Sequence, residues 1–484
     1  MVRWAILGAG NIARRFAASL DHVEGAQLVA ASCRSAEKAR AFLDAVPCAE
    51  GAQAYGNYDA LLADERIDAI YLALPHEYHY EWAIKALQSG KAVLCEKPAM
   101  LSAAQMEEVA RVARQTKTLF MEAMKPRFVP LYERVRQACS QIGAITRIEV
   151  TLCNDMLGFV EGTGTYHMTP GPGAGVLLDC GIYCASWLED FLTGVPTIVG
   201  IAGQKKDEID VYADANFACD GMTARLECAF DRAKSRTAAI IGENGFIVVD
   251  ELHRPQHATL HLADGSIEEL DAPYVVDDFY GEVSHFTQLV EEGSTESPLM
   301  TLDDSIGCAR IIDAARACFS VTPAALDVLE RQEQDLRYPV TFGADEALEL
   351  GCAIARLAPE YDRGITAVIT REGDGMQLFS WSMDDKAPRN YGFAEGKRQA
   401  SLATGHASVW GYLDHQVNSP DTPLYTEQTV GLPAAGAFPI CVGDERVATV
   451  CVSGLHEGRD HELVVRALQE VLGVTVSALP CVVI

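Results

Sequence analysis

Long apolar runs are missing from this 484-residue chain. No stretch approaches the roughly 18 uninterrupted apolar residues of a membrane-spanning helix, so no membrane span is expected. Positive charge is scarce. Against 68 Asp and Glu stand only 39 Lys and Arg, a net charge of −29. A field of that sign repels phosphate backbones and argues against nucleic acid as a partner. The 15 cysteines show no C-x-x-C spacing of the zinc-binding kind and no C-x-x-C-H haem attachment site. Cys33, Cys95, Cys153 and Cys180 fall at or beside expected strands and helices, where reduced cysteine behaves as a small hydrophobe. The amino terminus enters an apolar run directly, leaving no room for a signal peptide; a cytoplasmic location is the expectation. Internal repeats and low-complexity tracts are absent as well. Hydrophobic residues make up 49% of the chain, at a mean hydropathy of +0.05, and the length suffices for three compact globular units.

What the chain does have begins at once. The apolar run Val2–Leu7 leads into Gly8-Ala9-Gly10-Asn11-Ile12-Ala13. A strand, a G-x-G-x-x-A turn and a helix form a phosphate cradle. The first glycine permits the turn, the second lets main-chain amides approach a pyrophosphate, and the alanine lets helix and sheet pack closely. The helix reads Ile12, Phe16, Leu20 at helical spacing, and its amino end would face the phosphates. The strand Gln27–Ser32 then ends in Cys33-Arg34-Ser35, with Lys38 a turn later. NAD enzymes commonly place a carboxylate there, whereas a guanidinium grips a 2′-phosphate, which favours NADP over NAD.

Alternation continues with a helix at Tyr58–Leu62, a strand at Ala69–Leu74, a helix at Tyr78–Gln88, a strand at Ala92–Cys95, a helix at Ala103–Gln115 and a strand at Leu119–Glu122. This predicts a doubly wound parallel sheet whose ligands sit beyond the carboxyl ends of its strands. That rule selects Leu74, Pro75, His76 and His79, then Glu96-Lys97-Pro98, then Met124 to Arg127. The spacing of the two histidines would suit a metal, but ordinary loop or pocket-lining histidines are the preferred reading, and no metal site is expected.

Three motifs together, the opening G-x-G-x-x-A, Glu96-Lys97-Pro98 and Gly173-Ala174-Gly175-Val176-Leu177-Leu178-Asp179-Cys180-Gly181-Ile182-Tyr183, resemble the Gfo/Idh/MocA oxidoreductase family over about residues 1–320. Within that family the closest likeness is to the branch containing dimeric dihydrodiol dehydrogenase and glucose–fructose oxidoreductase, with a tyrosine four residues beyond the aspartate. The resemblance implies an NADP-preferring enzyme, with NAD as the alternative, acting on CH–OH groups of a sugar, polyol or cyclic diol, and an open sheet face that makes homo-oligomers. The chemistry agrees. A free phenol near pKa 10 is a weak base, and an adjacent ammonium favours its phenolate. Lys97 and Tyr183 supply that couple. Asp179, one helical turn before Tyr183, would orient the lysine or the substrate hydroxyl. Lys125 and Arg127 suit a polar or acidic substrate, and His167 in the long Gly- and Thr-rich loop Leu157–Gly175 is a pocket candidate within a possible substrate lid. His285, on a helix beside Phe286 and Leu289, reads as packing. Two other classes stay open: a non-catalytic sensor of nucleotide redox state with a ligand-binding tail, and an enzyme that recycles a tightly held NADP.

From Thr146 the pattern turns strand-rich, with strands at Ile148–Cys153, Thr197–Ile201, Val211–Cys219, Thr223–Phe230, Ala238–Ile241, Phe246–Val249 and Thr259–Leu262. Helices at Pro130–Gln141, Val176–Phe191, Tyr280–Glu291 and Leu302–Phe319 bracket them, which predicts an α+β open-sheet domain. Val321–Leu326 reads as a junction. The expected division is a Rossmann domain over 1–125, the α+β domain over 126–320 and a small α/β domain over 327–484. In the last, a helix at Ala344–Leu357, strands at Ile365–Thr370 and Gln377–Ser382, a charged helix to about Leu402, a hairpin of Phe438–Val442 with Arg446–Ser453, and a helix at His461–Val471 are expected. Glu395-Gly396-Lys397-Arg398, Thr404-Gly405-His406-Ala407-Ser408, Ala437-Phe438-Pro439-Ile440 and Val452-Ser453-Gly454-Leu455 resemble a haem-degrading or GlcG-like family over about 327–475. Its name suggests haem with His406 as ligand, but a lone glycine-flanked histidine is more often a turn residue, and oligomer assembly or another small ligand is the preferred expectation.

Overall fold

Residues 1–46, 48–157, 166–361, 363–419, 422–426, 428–455 and 458–483 are described by the structure, a computed structural model. The chain divides into two compact units, Met1–Ile198 with Gln204–Arg316, and Val199–Gly203 with Ala317–Ile484.

The first unit opens with six strands, β1 (Val2–Leu7), β2 (Ala26–Ser32), β3 (Gln53–Tyr55), β4 (Ala69–Leu72), β5 (Ala92–Glu96) and β6 (Phe120–Ala123). They form one sheet in the order β3-β2-β1-β4-β5-β6, parallel throughout. Near-continuous burial of β1, β4, β5 and β6 explains their largely apolar runs, since helices cover both faces. Those helices are α1 (Asn11–Leu20), α2 (Ala36–Leu43), α3 (Tyr58–Leu62), α4 (His79–Gln88) and α5 (Ala103–Thr116). Ser35, Asn57 and Ser102 cap α2, α3 and α5 by accepting main-chain N–H groups in the first turn. The strand order reverses between β1 and β4, the crevice where such sheets bind ligands.

The chain continues with α6 (Pro130–Ala138), α7 (Ile182–Phe191), α8 (Tyr280–Glu292) and α9 (Leu302–Ala317) and an eight-stranded mixed sheet. Its strands are β7 (Ile145–Cys153), β8 (Thr197–Lys206), β9 (Ile209–Cys219), β10 (Met222–Ala229), β11 (Arg236–Gly242), β12 (Gly245–Val249), β13 (His257–Leu262) and β14 (Ile267–Asp271), in the order β14-β13-β12-β11-β7-β10-β9-β8. β9 alternates buried and half-buried residues, so one face packs and the other is open.

The second unit builds on a four-stranded antiparallel sheet, β15 (Thr366–Arg371), β16 (Gln377–Ser382), β17 (Ala437–Val442) and β18 (Glu445–Ser453), in the order β16-β15-β18-β17. Helices α10 (Pro323–Asp335), α11 (Ala344–Leu357), α12 (Arg389–Thr404), α13 (Trp410–Asn418) and α14 (Arg459–Leu472) accompany it. Its core gathers Leu350, Ile354, Phe438, Val450, Leu463 and Leu468.

Several segments depart from expectation. Val321–Leu326, read as a junction, holds the start of a helix. Its Pro323 opens α10, since proline at the first helical position costs no hydrogen bond. The helix expected over Val176–Phe191 starts instead as a π turn, Leu177–Gly181. β3, β14, α2 and α13 carry no strong periodicity and were not anticipated. Of the loop Leu157–Gly175, residues 158–165 lie outside the described set, and Tyr166–Met168 forms a single 3-10 turn. Among the described residues no helix is long and apolar enough to cross a membrane.

Candidate active site

Two groups of residues meet the crevice. The first is a cleft of about 980 Å³ bordered by Gly8, Ala9 and Gly10, by Cys33, Arg34 and Lys38, and by Leu74 and Pro75. Gly8 has φ +93°, and a Cβ there would lie 2.5 Å from the Ala73 carbonyl oxygen, so the turn requires glycine. Gly10 is different. A Cβ at this position would meet no protein atom within 4 Å, and the space it would fill belongs to the cleft. The first-turn amides of α1, at Asn11 and Ile12, begin just beyond, where helix amides lack internal partners. Arg14, which the sequence reading passed over, lines the same cleft 5.6 Å above the Phe42 ring. Three cations, Arg14, Arg34 and Lys38, therefore share the cleft with Glu77 and Glu81, and Ser32, not a carboxylate, ends β2. An open glycine cradle with that donor set fits a dinucleotide bearing an additional phosphate.

The second group lies at the end of β5. Lys97 Nζ donates to Asp179 Oδ1 at 2.6 Å and to the Asp179 carbonyl oxygen at 2.9 Å, and stands 4.7 Å from the Tyr183 ring centroid. The three expected catalytic side chains are thus brought together, with one correction. The ammonium bonds the aspartate and covers the face of the phenol ring. Burial raises the Tyr183 pKa above the ordinary phenol value, and Lys97 opposes that rise without overcoming it. Burial likewise works against ionisation of Asp179 and of Lys97, but each is the other's counter-charge: the carboxyl is held below its usual range and the ammonium above its own.

Around this cluster the histidines divide. His79 is fully buried. Its Nε2 lies 2.8 Å from the Leu74 carbonyl oxygen and its Nδ1 3.0 Å from that of Pro98, so it braces two strand-end loops and does not border the cleft. His76 Nδ1 lies 3.1 Å from the Gly173 carbonyl oxygen, and its ring centroid is 5.6 Å from that of His167. His167 Nδ1 is 4.0 Å from Asp179 Oδ1, so the His167 loop reaches the expected catalytic aspartate. Burial lowers the pKa of all three histidines, leaving them biased to the neutral form. Among the described residues no group of three or more His, Cys, Asp or Glu could hold a metal. Glu96 points inward, accepting the Tyr71 hydroxyl and its neighbour's N–H from Lys97.

The expected substrate cations are placed differently. Arg127 has a side chain only 1% exposed, bonded to Ser186 Oγ and O at 2.9 Å, to Glu189 at 2.6 Å and to Asp304 at 3.1 Å. A guanidinium so enclosed ties elements together and has no face left for a substrate. Lys125 is also buried, 2.6 Å from Asp278 Oδ2, and its charge is spent internally. Sequence position alone could not distinguish a cleft-lining cation from one neutralised by Asp278, 153 residues on. His253 was missed too: its ring lies 5.9 Å from Tyr183, with its pKa pushed down to about 3 by burial and by Lys125. His285 bonds Ser297 Oγ at 2.9 Å and packs on Phe128.

In the second unit, His406 Nδ1 is 2.7 Å from Glu333 Oε2 and its ring stacks on Trp410 at 4.5 Å. Lys397 of the Glu395–Arg398 motif is buried against Asp460 at 2.6 Å and the Val452 carbonyl oxygen at 3.1 Å. That contact explains two of the motifs at once, as a brace from α12 to β18 and α14.

A parallel sheet with a glycine cradle at its switch point defines a nucleotide-binding Rossmann protein, and known proteins make the class specific. Residues 2–124 match the oxidoreductase family with an NAD-binding Rossmann fold, residues 132–248 the GFO/IDH/MocA C-terminal domain, and residues 342–469 the haem degrading protein HbpS-like family. The scyllo-inositol 2-dehydrogenase (NADP(+)) of Bacillus subtilis is 31% identical over 320 residues, covering 65% of this chain and 96% of that protein. The trans-1,2-dihydrobenzene-1,2-diol dehydrogenase of Xenopus tropicalis is 30% identical, covering 66% and 98%. A 3-ketoreductase from Actinomadura kijaniata, solved with NADP and TDP-benzene, superposes with a TM-score of 0.59 at 26% identity, covering 65% and 97%. The chain belongs to the Gfo/Idh/MocA oxidoreductase family, and it carries an HbpS-like module behind the part its enzyme relatives share.

Proposed function

We propose that the protein is an NADP-preferring dehydrogenase or reductase, oxidising a secondary alcohol of a sugar, polyol or cyclic diol or reducing the matching ketone. The observation that carries this reading is the Lys97–Asp179–Tyr183 cluster at the strand end next to a cationic dinucleotide cleft. Relatives named for scyllo-inositol, dihydrobenzenediol and D-xylose support the substrate class, and the names of the first and last specify NADP(+). In this reading residues 1–125 hold the nucleotide, 126–320 complete the substrate side, and 327–484 form an additional module.

Gly8, Gly10, Asn11 and Ile12 would hold the pyrophosphate through main-chain amides, while Arg34, Lys38 and Arg14 would grip the 2′-phosphate. On a chain of net charge −29 those local cations must overcome a repulsive background. When bound, the nicotinamide supplies the acceptor or donor of hydride. Tyr183, kept protonated by burial, gives its proton to the carbonyl oxygen during reduction, and in oxidation its phenolate, formed by prior loss of that proton to solvent, takes the proton of the alcohol. Lys97, fixed by Asp179, lies against the ring and lowers the cost of the phenolate. His76 and His167 face the same aspartate and border the substrate side.

The test is a panel of scyllo-inositol, D-xylose and trans-1,2-dihydrobenzene-1,2-diol with oxidised NADP, following absorbance of the reduced form. Turnover of at least one by the wild type, lost in Tyr183→Phe, is expected. Equal rates in the two proteins would sink the assignment.

A further inference from the structure

Gly175 heads the segment that carries Asp179 and Tyr183, and three interactions converge on it. Its N–H donates to the His167 carbonyl oxygen at 3.1 Å, and its own carbonyl oxygen accepts the Asp179 N–H at 3.3 Å. Its φ is +107°, a conformation favouring glycine. Beside its α-carbon, where a side chain would stand, sits the carboxylate of Asp210 from β9; a Cβ on Gly175 would collide with Asp210 Oδ1. Asp210 Oδ2 accepts the Leu177 N–H at 2.8 Å.

Leu177 opens the π turn Leu177–Gly181. The π turn is the first turn of the helix that continues to Phe191, and the leading amides of a helix lack internal acceptors, so the Leu177 N–H needs an outside group. Here that group is Asp210. The consequence falls on Asp179, two residues further on. Both hydrogen bonds of the Lys97 ammonium go to Asp179, one to its carboxylate and one to its carbonyl oxygen. A shift of the turn would therefore move both anchors of the ammonium together.

We propose that Asp210 is a positioning residue: by occupying the space left by Gly175 and accepting the Leu177 N–H, it fixes the π turn and with it the Asp179 anchors of Lys97. The inference rests on the catalytic reading of Lys97, Asp179 and Tyr183. It gives Gly175 a reason beyond turn geometry, since any side chain there would displace the brace. Asp210 acts through the turn and touches no reacting atom.

The full chain tests this with Asp210→Ala, Asp210→Asn and Gly175→Ala. Hydrogen exchange of the peptide spanning 174–183 needs no substrate. Asp210→Ala and Gly175→Ala should speed exchange at the Leu177 amide at least about tenfold, whereas Asp210→Asn keeps a carbonyl acceptor and should stay within about threefold of wild type. With oxidised NADP and the best substrate of the panel, the first two should lose kcat about 10- to 100-fold with KM changed less than about threefold, because misplaced catalytic groups act on the reacting state. In an Asp179→Asn background Asp210→Ala should add less than about twofold, since its effect passes through Asp179. Wild-type exchange and kcat in Asp210→Ala would overturn the proposal, as would a full additional loss in the Asp179→Asn background. Wild-type activity of Tyr183→Phe would remove the catalytic reading instead, and the exchange result would still decide whether Asp210 holds the turn. Should Asp210→Ala fail to fold, Gly175→Ala carries the same expectation without altering the carboxylate.

Discussion

The two units each contain a lysine–aspartate pair of the same construction. Lys97 and Lys397 both lie 2.6 Å from a carboxylate, and each also donates to a main-chain carbonyl oxygen. Their surroundings differ. Asp460 spends its remaining capacity on the main-chain N–H groups of Leu455 and Gly454, and the Lys397 pair is 7% and 5% exposed. The Lys97 pair is 14% and 16% exposed, with a phenol ring on the ammonium and a histidine on the carboxylate. An ion pair enclosed by backbone is a brace, because main-chain groups hold both partners and little of either meets solvent. A similar pair left partly open beside titratable rings can answer a substrate. The pairing alone thus says nothing of function; its third neighbour does.

The contrast breaks most sharply at the phenol. Tyr183→Phe should cut kcat about 100- to 10,000-fold, the range for removing a general acid or base, with little change in Tm. The reaction's pH dependence should carry the same signature. Burial holds Tyr183 above the usual phenol value, so ketone reduction should be flat through neutral pH and fall only on the far alkaline side, while alcohol oxidation climbs with pH across the alkaline range. A fall in oxidation rate between neutrality and pH 10 would assign the proton to another group. Next come the lysines themselves. Lys97→Met should lose about 100-fold in kcat. Lys397→Met should leave oxidoreductase turnover unchanged and destabilise its module by about 3–5 kcal/mol, since it strands a buried carboxylate; thermal unfolding of the two variants separates the cases. Exchanged phenotypes would show that enclosure does not distinguish a brace from a catalyst.

Much of this was legible in the chain. The doubly wound sheet was, because strands covered on both faces must be largely apolar, and β1, β4 and β5 are, with Arg3 and Glu96 standing at or near strand ends. Lys97 was legible from its place at the end of a strand of the wound sheet, whereas Asp179 and Tyr183 were picked out through the family resemblance of the segment that carries them. What stayed hidden depends on distant partners. Arg127 and Lys125 look like pocket cations until Glu189, Asp304 and Asp278 fold onto them. His79 looks like a cleft residue until both its nitrogens are seen against main-chain carbonyls. The π turn was hidden because a helix and its π start share one apolar stripe, and only the Asp210 contact reveals where the turn is held. Arg14 had a sequence signal that went unused: it lies one residue past the cradle motif, on the helix whose amino end faces the cleft.

Arg34→Ala sharpens the comparison on the nucleotide side of the first pair. It should weaken NADPH about 10- to 100-fold and NADH less than about threefold, as expected for loss of a charge-assisted bidentate contact, with fluorescence titration of both as the measure. Equal losses would assign Arg34 to another part of the dinucleotide.

The smallest effect concerns the two carboxyls in acid. Asp179 is held below its ordinary value, burial raising it but Lys97 lowering it further, whereas burial leaves Asp460 above its own despite Lys397. The signs are opposite. A carboxyl depressed on folding adds stability above its unfolded pKa of about 3.9, and that contribution is lost as pH falls through the folded value; a raised carboxyl contributes most below about 3.9 and loses that contribution as pH rises through the folded value. The Tm difference between wild type and Asp179→Asn should therefore shrink on acidification from about pH 7 to about pH 3, and that between wild type and Asp460→Asn should move the other way. Parallel slopes would mean that the two pairs, alike in distance, are alike in electrostatics too, and that exposure and ring neighbours alone set them apart.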